Sequence, residues 1–154
     1  MPFTSVTRLH LRSSRFLPGF AFHTWRSTRQ VQHAEGFRSG AVLSDRKLTF
    51  WTMTLWRDEA DMRRYTGAGA HRRAMPKLAR WCDEASVVHW TTDAAPDRVG
   101  LDWVEAERRM RRAGRPSTVR HPGPGHADLA FDPLDIARAK RALRIAPAGR
   151  PATS

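Results

Sequence analysis

The sequence has little of what several classes of protein require. It contains one cysteine, Cys82, so it can form neither an internal disulfide nor a cysteine-only metal site. It has no run of about 18 apolar residues, the length that a membrane-spanning helix needs. Three arginines interrupt the apolar residues of the first segment, which therefore does not resemble a secretion signal: Arg8, Arg12 and Arg15. We therefore expect a cytoplasmic protein without a membrane span.

Negative charge and lysine are also scarce. The 154 residues carry a formal net charge of +12, yet only three of the 27 basic residues are lysine. Because these charges are spread along the chain rather than gathered in one stripe, we expect a solvated basic surface and no nucleic-acid interface. The excess positive charge would still help to attract an acidic substrate.

The hydrophobic pattern predicts a ferredoxin-like α+β domain. Alternating or β-branched residues predict strands over 3–11, 37–45, 48–56 and 84–93. Apolar residues at helical spacing predict a helix over about 16–33 and a second helical region that begins after Asp58, its N-cap. The segment TGAGA (66–70) interrupts that region, and Pro76 should kink or restart it. The resulting order is β-α-β-β-α-β.

The third predicted strand is apolar on both faces. Thr52 and Trp56 point to one side, whereas Trp51 and Met53 point to the other. Such a strand is covered on both sides, and the helices of one small domain cover only one. We therefore predict that the second face meets another subunit in a homodimer.

Composition changes after residue 95, which divides the chain into a domain over 1–95 and a basic extension over 96–154. AAPDRVG (94–100) is a linker, and short helices are predicted over 101–114 and 133–145. The Pro- and Gly-rich stretch 115–128 has little to bury, and 146–154 should be disordered. His121 and His126 lack acidic or cysteine partners at ligand spacing, so no metal site is expected.

The stretch FWTMTLWRDEADMRRYTGAGAHRRAMPKL resembles the dimeric α/β-barrel superfamily, which includes the antibiotic-biosynthesis-monooxygenase-like proteins. Within that superfamily it is most similar to DUF3291-like and spheroidene monooxygenase-like proteins. The resemblance covers about residues 3–93. It implies a homodimer that packs sheet against sheet, with a pocket between the sheet and the helices of each subunit.

Haem is left open by this resemblance. Haem-degrading members carry a tryptophan and a haem-ligating histidine where this sequence has Tyr65 and Met75, so it departs from their pattern. Spheroidene monooxygenase-like proteins, which are thought to use haem, have a histidine in the place of His71. The cofactor is therefore either haem on His71 or none.

His71 is the main candidate functional residue, as haem ligand, general base or hydrogen-bond donor. The alternative is a histidine bonded to a backbone carbonyl at a helix start. Tyr65 beside it would orient a substrate or donate a proton; the alternative, which we favour slightly, is a buried tyrosine bonded to the backbone. Four residues with aromatic, cationic or flexible apolar side chains are predicted to bind the substrate: Trp25, Trp51, Arg72 and Met75. His10 and His89 lie on strands and are lesser candidates.

Together these features predict a monooxygenase-like enzyme that oxidises an apolar aromatic or polyene molecule in an enclosed pocket. An alternative from another class is a non-catalytic dimeric module that binds a small molecule or haem. A third is a basic protein whose extension contacts nucleic acid or a protein partner.

Overall fold

A computed structural model describes residues 1–93 and 100–149. Helices and strands alternate along the first part, and shorter elements follow. The strands are β1 (Phe3–Leu11), β2 (Phe37–Ser44), β3 (Thr49–Trp56), β4 (Cys82–Thr91), β5 (Arg115–Pro116) and β6 (Leu143–Ile145). The helices are α1 (Leu17–Gln32), α2 (Glu59–Thr66), α3 (Gly69–Trp81), α4 (Trp103–Ala113) and α5 (Ile136–Ala139).

The strands form one antiparallel sheet in the order β5-β4-β1-β3-β2-β6. Its four central strands and the helices α1, α2 and α3 give the predicted β-α-β-β-α-β order. The ferredoxin-like α+β fold class is therefore confirmed. The alternation within β3 is also confirmed, because Thr52 and Thr54 face the helices whereas Trp51 and Met53 are buried on the other side.

Local signals set the helix boundaries. The Asp58 carboxylate accepts a hydrogen bond from the Asp61 amide at 2.9 Å and so caps α2 as predicted. Of the kink or restart predicted at Pro76, the restart is wrong, because α3 continues through Pro76 to Trp81. Burial of Ala74 and stacking of Trp81 on Phe16, with ring centroids 5.9 Å apart, hold the helix despite the missing amide donor.

The second face of the sheet is covered by the chain's own C-terminal segment, which corrects the argument for a second subunit there. Trp51 and Met53 are 0% and 1% exposed. They pack in one buried cluster with residues that follow position 100: Trp103, Ala106, Met110 and Leu134. The apolar side chains of this face are already buried by the chain itself, so the face needs no partner. The homodimer itself stays a prediction.

Polar contacts fix this segment to the sheet. The buried Asp45 carboxylate accepts hydrogen bonds from Trp51 Nε1 at 3.3 Å and from the Asp135 amide at 2.8 Å. The Phe131 ring lies between two guanidinium groups, 4.4 Å from Arg8 and 4.3 Å from Arg111. The extension is therefore anchored to two buried polar groups of the sheet side, Asp45 and Arg8.

The stretch 115–128, expected to be a loop with little to bury, runs along the edge of the sheet. Arg115 pairs with Val87 of β4, and the Ser117 amide donates to the Ala85 carbonyl at 2.8 Å. A sequence pattern did not indicate these bonds because a two-residue strand is defined only by its partner.

Two predictions concern segments that are only partly described. Residues 94–99 of the predicted linker and residues 150–154 of the predicted disordered end lie outside the described residues. Within 146–149, the Ala148 amide donates to the Gln32 carbonyl at 2.8 Å. The division into 1–95 and 96–154 stays a prediction. No helix of the described residues is both long and apolar enough to span a membrane.

Candidate functional site

A cavity of about 460 Å³ lies between the sheet and the helical layer. Hydroxyl-bearing and small apolar side chains of the central strands form its floor, among them Ser5, Thr7, Thr52, Thr54 and Val87. Helix α1 forms one wall with Phe20, His23, Thr24, Ser27, Thr28 and Val31. Helices α2 and α3 form the other with Met62, Tyr65, His71, Ala74, Met75 and Leu78. A cavity of this size and lining suits a small, mainly apolar ligand with a few polar groups.

His71 presents one free ring nitrogen in this cavity. Its Nδ1 lies 3.2 Å from the Thr66 carbonyl oxygen. Because a carbonyl only accepts, Nδ1 carries the proton and Nε2 keeps its lone pair. Burial lowers the pKa of His71 below its ordinary value, partly offset by the bond to Thr66. The residue is therefore a neutral imidazole, suited to remove a proton or to ligate a metal.

The position of His71 is set by Gln30 of α1. The Gln30 side-chain oxygen accepts from the His71 amide at 2.8 Å. Its nitrogen donates to the Tyr65 and Ala68 carbonyls at 3.2 and 2.9 Å. One amide side chain thus satisfies three backbone groups at the break between α2 and α3. The chain turns at Gly69 with a φ of +56°, a left-handed backbone conformation that glycine adopts without steric cost.

Tyr65 packs between His71 and Trp56, with ring centroids 5.0 and 5.2 Å away. Its hydroxyl donates to the Ser27 carbonyl at 3.2 Å. Burial raises the pKa of the phenol well above its ordinary value. Tyr65 therefore stays protonated, and its proton is committed to the backbone of α1. The contact fixes the ring that supports His71.

Two further histidines line the cavity. His23 was not singled out from the sequence, and His89 was only a lesser candidate. Burial and the nearby cations Lys77 and Arg26 lower the pKa of His23. Burial and then Arg115 lower the pKa of His89, while Glu59 opposes the shift. Both histidines are therefore neutral near pH 7.

The charges that reach the cavity wall are positive. Arg63 and Arg115 line it, and no aspartate or glutamate does so within the described parts of the chain. Arg63 is bound to Glu59 by two hydrogen bonds of 2.9 and 2.6 Å. The cavity thus combines neutral imidazoles with a positive surrounding field.

The four predicted substrate-binding residues are not brought together. Met75 lines the cavity. Trp51 does not, because the alternation of β3 points it into the opposite cluster. Trp25 is 58% exposed, since the buried stripe of α1 runs through Phe20, His23 and Val31 instead. Arg72 follows His71 on the solvent side of α3 and is exposed.

The remaining histidines do not contribute to this cavity. His10 does not line the cavity, and its Nδ1 lies 2.6 Å from an Asp83 oxygen. His126 Nδ1 accepts from the Ala85 amide at 3.4 Å. Within residues 1–93 and 100–149, no group of three histidine, cysteine or acidic side chains is placed to hold a metal ion.

Comparison with known proteins identifies the fold. No family model and no curated protein matches the sequence. Among solved structures, SnoaB, a cofactor-independent oxygenase from Streptomyces nogalater, has a TM-score of 0.52 at 17% identity. The match covers 61% of this chain and 95% of that one. The chain shares the fold of an oxygenase.

Two other solved structures agree. A provisionally assigned antibiotic biosynthesis monooxygenase from Nitrosomonas europaea matches with a TM-score of 0.54 and 12% identity, over 60% of this chain and 99% of that one. Rv0793 from Mycobacterium tuberculosis matches with a TM-score of 0.56 and 10% identity, over 62% and 98%. At these identities the likeness establishes the fold, whereas substrate and chemistry must be argued from this chain's own residues.

Proposed function

We propose that this protein is a monooxygenase-like enzyme that oxidises an apolar aromatic or polyene molecule in the cavity between sheet and helices. The observation that carries the proposal is the neutral His71, whose free Nε2 is available at a wall of a largely apolar cavity of about 460 Å³. The closer likeness to spheroidene monooxygenase-like and DUF3291-like proteins belongs to the same proposal, as does a homodimer.

The first step is removal of a proton from an activated CH₂ group of the substrate by His71 Nε2. Molecular oxygen then accepts electrons from the resulting carbanion, and one oxygen atom bonds to that carbon. The proton returns as water leaves, so that CH₂ and O₂ become C=O and H₂O. Tyr65 is a positioning residue in this scheme, because its ring packs against the imidazole and its hydroxyl bonds to Ser27.

The surroundings favour the carbanion. Arg115 lines the cavity without an acidic partner among the described residues, whereas Arg63 is paired with Glu59, and Lys77 and Arg26 lie near enough to lower the pKa of His23. Positive charge near a site of forming negative charge stabilises the transition state, and the apolar wall strengthens that field by excluding water.

Haem binding is the second candidate function, with or without catalysis. His71 would hold the haem iron through Nε2, whose lone pair is free because Nδ1 bonds the Thr66 carbonyl. Arg72, expected to meet a haem propionate, is exposed and does not line the cavity. Haem, when bound, would supply oxygen activation, and His71 would then hold the iron instead of acting as a base.

The test is oxygen consumption with anthrone, an electron-rich aromatic with an activated CH₂ group. We expect turnover by the wild type and a loss of about 10²- to 10⁴-fold in His71→Gln. His33→Gln is the matched control, because His33 also bonds a backbone carbonyl, at 2.9 Å, but is exposed. Turnover that survives in His71→Gln would contradict the proposed base.

A haem titration separates the two candidates. A saturable 1:1 Soret shift that is lost in His71→Ala would favour haem, whereas no shift together with anthrone oxidation would favour the cofactor-free reaction.

A further inference from the structure

We propose that the ligand of this cavity carries a carboxylate, and that Arg115 binds it at the end of the cavity where His89 lies. This inference rests on the proposed function only in so far as the cavity is its substrate site. It adds a chemical class of ligand and a residue of the C-terminal extension that recognises it.

Arg115 is the unpaired charge of the cavity wall. It lines the cavity, and although its backbone pairs with Val87 of β4, its guanidinium makes no hydrogen bond or ion pair with any described residue. The other lining arginine, Arg63, already bonds Glu59 at 2.6 Å. Arg115 is exposed to solvent, and its guanidinium has no acidic partner among the described residues, so it is available for a ligand anion, which a guanidinium binds through two parallel hydrogen bonds.

The backbone of Arg115 is held in place. Helix α4 ends at Ala113, and the Gly114 amide bonds the Met110 carbonyl at 2.9 Å. A Cβ on Gly114 would lie 2.3 Å from that carbonyl oxygen, so glycine is required for the chain to turn here. Arg115 then pairs with Val87 at the edge of the sheet. Met110 is fully buried on the opposite face of the sheet. The chain between Met110 and Arg115 therefore passes around the sheet edge and places Arg115 at the cavity.

The groups near Arg115 complement a carboxylate. Ser117 and Thr118, two and three residues on, also line the cavity and carry hydroxyl donors. The pKa of His89 is lowered by burial and by Arg115, so its neutral ring adds a further N–H donor without a competing charge. A neutral ligand would form no ion pair with Arg115.

The position of the charge also defines the ligand's orientation. Arg115 belongs to the edge strand beside β4, whereas His71 belongs to α3 in the helical layer. A carboxylate at Arg115 would place the apolar body of the ligand over the sheet floor and toward His71. The extension would thus select an aromatic acid over the corresponding neutral compound.

The experiment compares 2-naphthoate with its methyl ester by calorimetric titration at fixed salt concentration. These probes differ in charge but share the aromatic body. We expect Arg115→Gln to weaken 2-naphthoate binding by about 10- to 100-fold, the usual range for a charge-assisted hydrogen bond. The ester should change by less than about threefold, and Arg115→Lys should give an intermediate loss for the acid.

Arg112→Gln is the matched control, since Arg112 is exposed on α4 and its replacement removes the same net charge. Equal losses in the two Gln variants, or an equal effect of Arg115→Gln on acid and ester, would overturn the proposal. Arg115-dependent binding of 2-naphthoate in a protein that does not oxidise anthrone would uphold this inference while the proposed oxygenase function fails. Anthrone turnover with no preference for the acid would do the reverse.

Discussion

The imidazole groups of the cavity differ from surface histidines because their surroundings disfavour the charged form. His71 is disfavoured by burial, His23 by burial and two cations, and His89 by burial and Arg115. In each case the pKa moves down. The cavity therefore offers neutral bases and neutral donors at a pH where an exposed histidine would begin to carry charge.

This shift predicts the pH dependence of oxidation. His71 acts as a base only when Nε2 is unprotonated, so activity should be constant above its pKa and fall as pH drops through it. Because that pKa lies below the ordinary 6.5, anthrone oxidation should remain above half-maximal at pH 6.5. The rate measured between about pH 4.5 and 8 checks this expectation. A half-maximal rate at or above pH 6.5 would contradict it.

The sequence predicts the positions of some cavity residues but not of others. His71 and Met75 could be placed from their i, i+4 spacing with apolar neighbours, and both line the cavity. The roles assigned to them stay predictions. His23 lies three residues after Phe20 and carries the same helical signal, but Trp25 rather than His23 was predicted to line the pocket. Arg115 had no signal, because its place depends on how the extension returns to the sheet.

At the scale of elements, the break between α2 and α3 is the junction that positions His71. The TGAGA segment was predicted from its glycines, whereas the contribution of Gln30 depends on the distance between two helices and has no sequence signature. Three hydrogen bonds from one side chain hold this junction. Its geometry should therefore be sensitive to small changes near Gly69.

We predict that Gly69→Ala lowers the free energy of unfolding by about 1–2 kcal/mol, the cost of a left-handed backbone for a residue with a Cβ. The new Cβ would also lie 3.0 Å from Gln30 Cδ, so His71 should shift and activity should fall. Urea unfolding and anthrone turnover measure the two effects. Gly100→Ala is the control, since nothing lies within 4 Å of a Cβ there. Equal stability of the two variants would argue against strain at this junction.

The longer elements were predictable because their signals are local. Strands β1 and β3 alternate over eight or nine residues, and α1 repeats over sixteen. Strands β5 and β6 have two and three residues, too few for any period. They form because the edges of β4 and β2 provide unpaired backbone groups. Their positions therefore depend on other parts of the sequence and not on their own residues.

At the scale of the whole molecule, the C-terminal segment does what a second subunit was expected to do. The sequence contained both halves of this contact. One was the two-faced strand β3, and the other was the apolar stripe of α4 at Trp103, Ala106 and Met110. Spacing within each element predicts an apolar face, but it does not say which two faces meet. Only the three-dimensional structure therefore shows that α4 covers this face of the sheet within one chain.

Trp103→Ala tests this covering. The side chain is 8% exposed in the cluster that contains Trp51, so its removal should lower the free energy of unfolding by about 3–5 kcal/mol. Val104→Ala, one residue on and 61% exposed, should change it by less than about 0.5 kcal/mol. Loosening α4 would expose the apolar face of the sheet, so sedimentation velocity should detect self-association in Trp103→Ala beyond that of the wild type. Equal stability and equal sedimentation of the two variants would mean that α4 does not cover this face in solution, and the argument for a second subunit there would return.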